Sequence, residues 1–225
     1  MKNRNDIYAV LFDLDDTLID RNRMFRNWAT DFMIAHSVSD ETFIKDAIED
    51  LVRFERRGAT PRDEVFSHFV IKLEQAGQKI LTEEIAQSYE KDYRRYTVVF
   101  DDTMDTLCAL KNGGYRLGII TNGRTVLQSE KIKRAKLEPQ MDIILVSEAV
   151  GYAKPDPRIF QLAAERLNYK PQNCLYVGDR FEWDIEGPLS AEMQACFYRR
   201  NIFEDERRDF ICAIDRLSEL KALLL

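Results

Sequence analysis

The chain has 225 residues, of which 45% are hydrophobic and 32% charged, as in an ordinary soluble globular protein with a sizeable core. Its formal net charge of −6 argues against nucleic acid or an anionic membrane as the main partner. No stretch approaches the roughly 20 apolar residues that a membrane-spanning helix needs. The four cysteines are widely spread without a C-x-x-C pair, which favours reduced thiols and a cytoplasmic protein.

Several short runs that are almost entirely apolar predict strands buried on both faces of a parallel sheet. They are IYAVLF (7–12), YRLGIIT (115–121), DIILVS (142–147), CLYVGD (174–179) and ACFYR (195–199). A helical pattern at 155–168 separates two of these runs. This alternation of strands and helices predicts right-handed crossovers and a doubly wound parallel sheet, an α/β fold.

The segment from about 20 to 98 has a different character. It contains no convincing strand, and its apolar residues recur with helical spacing, as in the stripe of Phe25, Trp28, Phe32 and Met33. We therefore expect a core domain formed by 1–19 and 99–225, interrupted by an all-helical domain at 20–98.

Two aspartates, Asp13 and Asp15, follow the first apolar run and are two residues apart. If the strand geometry continues, their side chains share one face. Like charges this close raise each other's pKa and cost stability unless something offsets them. The pattern alone fits either a solvated acidic turn or a site for a cation.

Three further groups follow later strands or precede a helix. The tripeptide TNG (121–123) can be a simple turn or can offer a hydroxyl and amides at a strand end. Lys154 precedes a predicted helix, where anions bind, but it can also be a solvated lysine. Asp179 ends a strand, and Asp184, five residues later, can be a helix N-cap.

Taken together, these groups combine carboxylates, a hydroxyl and an ammonium at four strand ends or strand–helix junctions. Ligands of open parallel sheets bind at the carboxyl ends of the strands. Oxygen ligands suit Mg²⁺, which also bridges to phosphate, and a carboxylate beside a metal and a lysine can act as a nucleophile. The combination therefore predicts a magnesium-dependent phosphoryl-transfer site.

The chain resembles the haloacid dehalogenase-like hydrolase superfamily, in its phosphatase branch. The resemblance covers the whole chain through DLDDTL (13–18), TNG (121–123), KPDP (154–157) and GDRFEWD (178–184). It implies a Rossmann-like core and identifies 20–98 with the mobile helical cap that the family inserts after its first strand.

The resemblance also implies a role for each motif residue. Asp13 would be the nucleophile that becomes an aspartyl phosphate, and Asp15 the general acid and then the base. Lys154 would neutralise the charge shared by the nucleophile and the phosphate, while Thr121 and the amide of Asn122 would bind phosphate oxygens.

A Mg²⁺ cofactor is implied as well. Its ligands would be Asp13, the backbone carbonyl of Asp15 and Asp179. Asp184 would be an outer ligand or would orient a metal-bound water and Lys154. Asp16 has no role in this scheme, and we expect it on the surface or in a turn.

The expected activity is hydrolysis of a small phosphorylated metabolite, a nucleoside monophosphate or a sugar phosphate, with no nucleic-acid or membrane partner. We expect a monomer and leave a dimer open. A phosphomutase uses the same core and is the alternative within the family, whereas Asp15 argues against a dehalogenase. From another class, a receiver module phosphorylated on aspartate shares the pattern but is about half this length and lacks the helical insertion.

One residue departs from the family pattern, and three arginines lie near the motifs in sequence. Glu192 occupies a position where the family usually has a glycine in a left-handed conformation, which predicts strain or a shifted helix end. Arg21, Arg124 and Arg180 stand close to the motifs. We expect a structural ion pair for Arg180 and solvated side chains for the other two.

Overall fold

A computed structural model describes residues 6–58, 60–199 and 212–225. The chain divides into two compact units, one comprising Met1–Ile19 and Val99–Leu225 and the other Asp20–Val98. The first unit contains the sheet, and the second is helical. Within the described ranges, none of the helices combines the length and apolar character needed to cross a bilayer.

The first unit is built on a six-stranded parallel sheet among the described residues, with the order β3-β2-β1-β4-β5-β6. The strands are β1 (Ala9–Phe12), β2 (Arg116–Thr121), β3 (Ile143–Val146), β4 (Cys174–Gly178), β5 (Gln194–Tyr198) and β6 (Ala213–Ile214). This sheet confirms the predicted Rossmann-like α/β fold. The two-residue strand β6 was not predicted, because so short a segment carries no periodicity that a sequence pattern can detect.

The second unit is formed by helices α1 (Arg21–Ala35), α2 (Glu41–Glu55), α3 (Arg62–Gln75) and α4 (Thr82–Asp92). Asp20 and Asp40 cap the first two, since their carboxylates accept from the backbone N–H of Arg23 (2.9 Å) and Phe43 (3.0 Å). Trp28 is fully buried in this unit and its indole N–H donates to Ser88 Oγ at 3.1 Å. The predicted aromatic stripe on α1 is therefore core.

The first unit contains helices as well as the sheet. They are α5 (Thr103–Asn112), α6 (Thr125–Arg134), α7 (Ser147–Val150), α8 (Pro157–Leu167), α9 (Gly187–Ser190) and α10 (Glu219–Leu224). Helix α8 buries Ile159 and Phe160 in the same apolar cluster as the sheet residue Tyr176, whose ring lies 5.1 Å from that of Phe160. Burial of this apolar surface stabilises the layer of helix on sheet by roughly 25 cal/mol per Å².

The register of the three central strands brings their carboxyl ends together. Phe12, the last residue of β1, pairs with Ile119 of β2 on one side and Val177 of β4 on the other. The residue after it, Asp13, donates its backbone N–H to the carbonyl of Val177 at 2.9 Å. Residues that follow these strands therefore emerge at one edge of the sheet.

Six described non-glycine residues have a positive φ, and two of them, Glu192 and Asp16, were discussed from the sequence. Glu192 has φ +65°, as the comparison with the family glycine predicted, and follows α9. Asp16 has φ +66°, which is consistent with the expected turn. Its side chain is buried, so the expectation of a surface position is wrong. Aspartate tolerates this conformation better than most non-glycine residues because its short side chain can bond locally.

Candidate active site

A cluster of three buried carboxylates lies at the carboxyl edge of the sheet. Asp13 follows β1, Asp179 follows β4, and Asp184 lies on a π-helical segment, Phe181–Glu186. Each residue offers a carboxylate oxygen, and these oxygens lie within 4.8 Å of one another. Oxygen atoms from three acidic side chains at such separations form the kind of donor set that hard divalent cations bind.

The ammonium of Lys154 lies against this cluster. Its Nζ is 2.5 Å from Asp13 Oδ1 and 2.7 Å from Asp184 Oδ1, and it donates to the hydroxyl of Tyr176 at 2.9 Å. The lysine side chain is 2% exposed, so these contacts replace its hydration. Burial opposes the charge of Lys154, but Asp13 and Asp184 outweigh it and raise the lysine pKa.

The backbone of Lys154 is fixed by Asn122, the residue after β2. The Asn122 side chain donates from Nδ2 to the Lys154 carbonyl at 2.9 Å and accepts from the Lys154 N–H at 2.8 Å. This reciprocal pair joins the end of β2 to the segment before α8. The Asn122 side chain therefore positions the lysine, a contact separate from the phosphate-binding amide that the resemblance implies.

Asp184 is held in place by the two residues that precede its own segment. Its Oδ2 accepts from the backbone N–H of Asp179 (3.1 Å) and of Arg180 (2.9 Å), while its other oxygen meets Lys154. Gly178 makes this approach possible, because a Cβ there would collide with the Asp184 carboxyl group. The lack of a side chain at Gly178 therefore allows Asp184, the last aspartate of the GDRFEWD motif, to take this position.

The Asp13 carboxyl has a strongly altered proton affinity. Burial raises its pKa to about 7, Asp184 adds to the rise, and Lys154 opposes it. Three buried carboxylates thus lie together with one buried ammonium. A divalent cation would offset this excess of negative charge, so the donor set and the charge balance both fit Mg²⁺.

Asp15 is placed apart from this cluster and faces α6. Both of its carboxylate oxygens lie 2.8 Å from Nζ of Lys131, and Oδ2 also accepts from Nε2 of Gln128 at 3.1 Å. About a quarter (26%) of the Asp15 side chain is exposed. Asp13 and Asp15 therefore meet different lysines, although only one residue separates them in the chain.

Thr121, the last residue of β2, is buried and takes part in the same network. Its hydroxyl oxygen accepts from Nε2 of Gln128 at 2.6 Å. The hydroxyl donates its own proton to the carbonyl of Asn122 at 3.5 Å, a long and weak bond that a better-placed acceptor can replace. A phosphate oxygen is such an acceptor.

The residues proposed from the sequence all lie where the carboxyl ends of the strands meet, but they form two groups. Lys154 contacts Asp13 and Asp184, and Asp179 lies with these carboxylates, whereas Asp15 and Thr121 are joined through α6. That the backbone carbonyl of Asp15 binds metal stays a prediction.

Sequence reasoning missed Gln128, Lys131 and Tyr176. Gln128 and Lys131 are three residues apart on the helix that follows TNG, which places them on one face of α6, and this spacing was a usable signal. Tyr176 lies within a buried strand, where a tyrosine fits the core pattern. Its hydroxyl donates to the carbonyl of Ile120 at 3.0 Å, and burial raises its pKa, which keeps it protonated.

The three arginines named from the sequence differ in their surroundings. Arg21 forms an ion pair with Glu55 within the helical unit, so the expectation of a solvated side chain is wrong there, since a buried carboxylate needs a partner. Arg124 is exposed. Arg180 lies over the ring of Trp183, 4.9 Å from its centroid, a cation–π contact that the sequence did not predict.

Comparison with known proteins gives consistent matches. The model of a family described as haloacid dehalogenase-like hydrolase matches residues 7–191. A glyceraldehyde 3-phosphate phosphatase of Methanopyrus kandleri is 30% identical over 202 residues, which cover 88% of this chain and 87% of the relative. A phosphoserine phosphatase of Thermus thermophilus is 28% identical over 183 residues, covering 81% and 71%.

A solved structure resembles the whole chain. It is described as a putative HAD-hydrolase, YfnB of Bacillus subtilis, bound to magnesium. The two chains share 25% identity with a TM-score of 0.67, and the match covers 97% of this chain and 98% of that one.

Proposed function

Because this chain is a member of the haloacid dehalogenase-like hydrolase family, we propose that it is a Mg²⁺-dependent phosphatase that acts on a small phosphate monoester through a phosphorylated Asp13. The observation that carries the proposal is the buried contact of Lys154 with Asp13 and Asp184, beside the third carboxylate of Asp179. This arrangement supplies a carboxylate nucleophile together with the positive charge that an approaching phosphate dianion needs.

Asp13 attacks phosphorus in this proposal, the bond to the leaving oxygen breaks, and the carboxyl group becomes an acyl phosphate. Asp15 gives a proton to the leaving alcohol and then takes one from the water that hydrolyses the acyl phosphate. Thr121 and the amide of Asn122 hold phosphate oxygens. Lys154 reduces the repulsion between the anionic substrate and the carboxylate of Asp13.

The side chains of Asp13 and Asp179, with the backbone carbonyl of Asp15, would hold the metal, and Asp184 would act as an outer ligand. When bound, Mg²⁺ neutralises charge on the nucleophile and on the phosphate oxygens. The excess of buried carboxylates over ammonium groups at this position supports the assignment.

The helical unit, Asp20–Val98, is the proposed cap and would select the substrate. The relatives named as glyceraldehyde 3-phosphate phosphatase and phosphoserine phosphatase act on three-carbon phosphate esters by name, which supports a small substrate. Of the two classes expected from the sequence, the first of these names supports a sugar phosphate. A panel that contains triose phosphates, phosphoserine and nucleoside monophosphates would identify the preferred ester by the phosphate it releases.

The reaction class is tested by phosphate release from an aryl phosphate in the presence of Mg²⁺. We expect turnover by the wild type and a loss of at least roughly 1,000-fold in Asp13→Asn, which keeps the shape of the side chain but removes the nucleophile. Equal rates in the two proteins would refute the mechanism. Transfer of the phosphoryl group within a sugar phosphate, with little free phosphate, would instead identify a phosphomutase.

A further inference from the structure

We propose that Gln128 and Lys131 are positioning residues, which hold the Asp15 carboxylate and the Thr121 hydroxyl in a fixed relation for the acid–base step. The inference rests on the proposed phosphatase function and assigns two residues of α6 that no motif identified. Both lie on the face of the helix that is turned toward the strand ends: Gln128 is buried, and the Lys131 side chain is 11% exposed.

Lys131 fixes the orientation of the Asp15 carboxylate. Its ammonium is 2.8 Å from both oxygens of the carboxylate, so it lies between them and resists rotation of the group about its bond to Cβ. Lys154, the other lysine of the site, is occupied by Asp13 and Asp184. Each lysine thus binds a different carboxylate of the two motif aspartates, and Lys131 anchors Asp15 to α6.

Gln128 links Asp15 to the phosphate-binding hydroxyl. Its Nε2 donates to Thr121 Oγ1 at 2.6 Å and to Asp15 Oδ2 at 3.1 Å. The amide therefore fixes the position of the Thr121 hydroxyl and supports the Asp15 carboxylate from the same nitrogen. Gly123 leaves room for this side chain, since a Cβ at that position would lie 3.1 Å from Cγ of Gln128.

Lys131 and Gln128 therefore have different roles, which kinetic measurements can separate. Loss of Lys131 disturbs the orientation of the proton donor, which matters most when the leaving group is a poor one. Loss of Gln128 also disturbs Thr121 and so weakens phosphate binding. A purely structural role for either residue would lower activity on all substrates to the same extent.

The first test compares Lys131→Met with Lys131→Arg and with Lys133→Met, a control on the exposed side of α6. The readout is kcat and KM for p-nitrophenyl phosphate, which has a good leaving group, and for an alkyl phosphate. For Lys131→Met we expect a kcat loss of roughly 30-fold or more on the alkyl ester, less than about 3-fold on the aryl ester, and little change in KM. Lys131→Arg should recover part of the loss, and Lys133→Met should match the wild type.

The second test uses Gln128→Met, which keeps the volume and flexibility of the side chain but removes its amide. We expect weaker competitive inhibition by inorganic phosphate, roughly 5-fold or more in Ki, in addition to the selective loss on alkyl esters. In Lys131→Met the Ki for phosphate should stay near the wild-type value. Unfolding midpoints of all variants, measured in parallel, check that the fold is retained.

The proposal is overturned if Lys131→Met and Gln128→Met lower the rates on both esters equally, or change neither. It is also overturned if phosphate inhibition is the same in all variants. These outcomes would leave the phosphatase function standing, because the wild type would still release phosphate. A wild-type protein that releases phosphate from neither ester would instead contradict both the proposed function and this inference.

Discussion

The ammonium of Lys154 lies 2.5 Å from Oδ1 of Asp13, and both side chains are buried at the carboxyl edge of the sheet. The same ammonium meets Asp184 at 2.7 Å. The lysine therefore belongs to the charge balance of the folded protein as well as to the proposed chemistry. Its loss should affect stability and activity together, which distinguishes it from a lysine that contacts only substrate.

Lys154→Met should be both inactive and less stable. Removal of the ammonium leaves buried carboxylates without their cation, which typically costs about 3–5 kcal/mol, and the phosphate loses its neutralising charge. We expect a fall in kcat of at least about 100-fold. Denaturant unfolding and aryl phosphate turnover measure the two effects, with Lys133→Met as the exposed control. An active variant of wild-type stability would contradict the assignment.

Gly178→Ala should disrupt the site through Asp184. The added methyl group would occupy the space of the Asp184 carboxyl group, so the aspartate must move away from Lys154. We expect loss of activity and of the stabilisation by Mg²⁺. The double variant Gly178→Ala/Asp184→Ala removes the collision and should regain stability over Gly178→Ala without regaining activity. If the single variant keeps full activity, the close approach of Asp184 has no functional role.

Mg²⁺ should stabilise the protein directly. At about 100 times its dissociation constant, a ligand that binds only the folded state adds about 2.7 kcal/mol, which corresponds to roughly 5–10 °C in Tm for a chain of this size. Thermal unfolding of EDTA-treated protein, with and without Mg²⁺, measures this shift at constant ionic strength. Asp179→Asn should reduce it. The same shift with Na⁺ alone would show that the cluster does not bind the divalent ion specifically.

Trp28→Ala should destabilise the helical unit. The indole ring lies among Phe32, Phe69, Tyr89 and other aromatic rings, and its N–H is bonded to Ser88. Removing so large a buried side chain costs about 3–5 kcal/mol because a cavity remains. Trp28→Phe should cost less, since it keeps most of the ring contacts. Urea unfolding followed by circular dichroism reports the difference, and a cost below about 1 kcal/mol would contradict the packing described for α1.

Much of this fold could be predicted from the chain. The strands β1 to β5 fall within one residue or two of the predicted runs, because runs of buried β-branched and aromatic residues distinguish parallel strands from their surroundings. The site motifs were visible for a related reason: each directly follows a strand or precedes a helix, so the topology brings them to one edge. The edge strand β6 has only two residues, and no motif follows it, so neither signal was present in the sequence.

The network around Asp15 could not be predicted in the same way. Lys131 is 116 residues from Asp15 in sequence, and the pairing depends on where α6 lies relative to the end of β1. Asp16 illustrates a second limit, since strand alternation does not continue into the turn after β1, where this residue becomes buried with a positive φ. Long-range contacts and turn geometry are set by tertiary packing, which a local pattern does not encode.

The proposed mechanism requires transient phosphorylation of Asp13. In a rapid-quench experiment, enzyme with Mg²⁺ and an excess of aryl phosphate is stopped in acid, and the peptide containing Asp13 is analysed by mass spectrometry. We predict a mass increase of one phosphoryl group on that peptide in the wild type, formed and lost at rates compatible with turnover, and none in Asp13→Asn. Turnover without a phosphorylated Asp13 peptide at any quench time, or a phosphoryl group on another residue, would contradict Asp13 as the nucleophile.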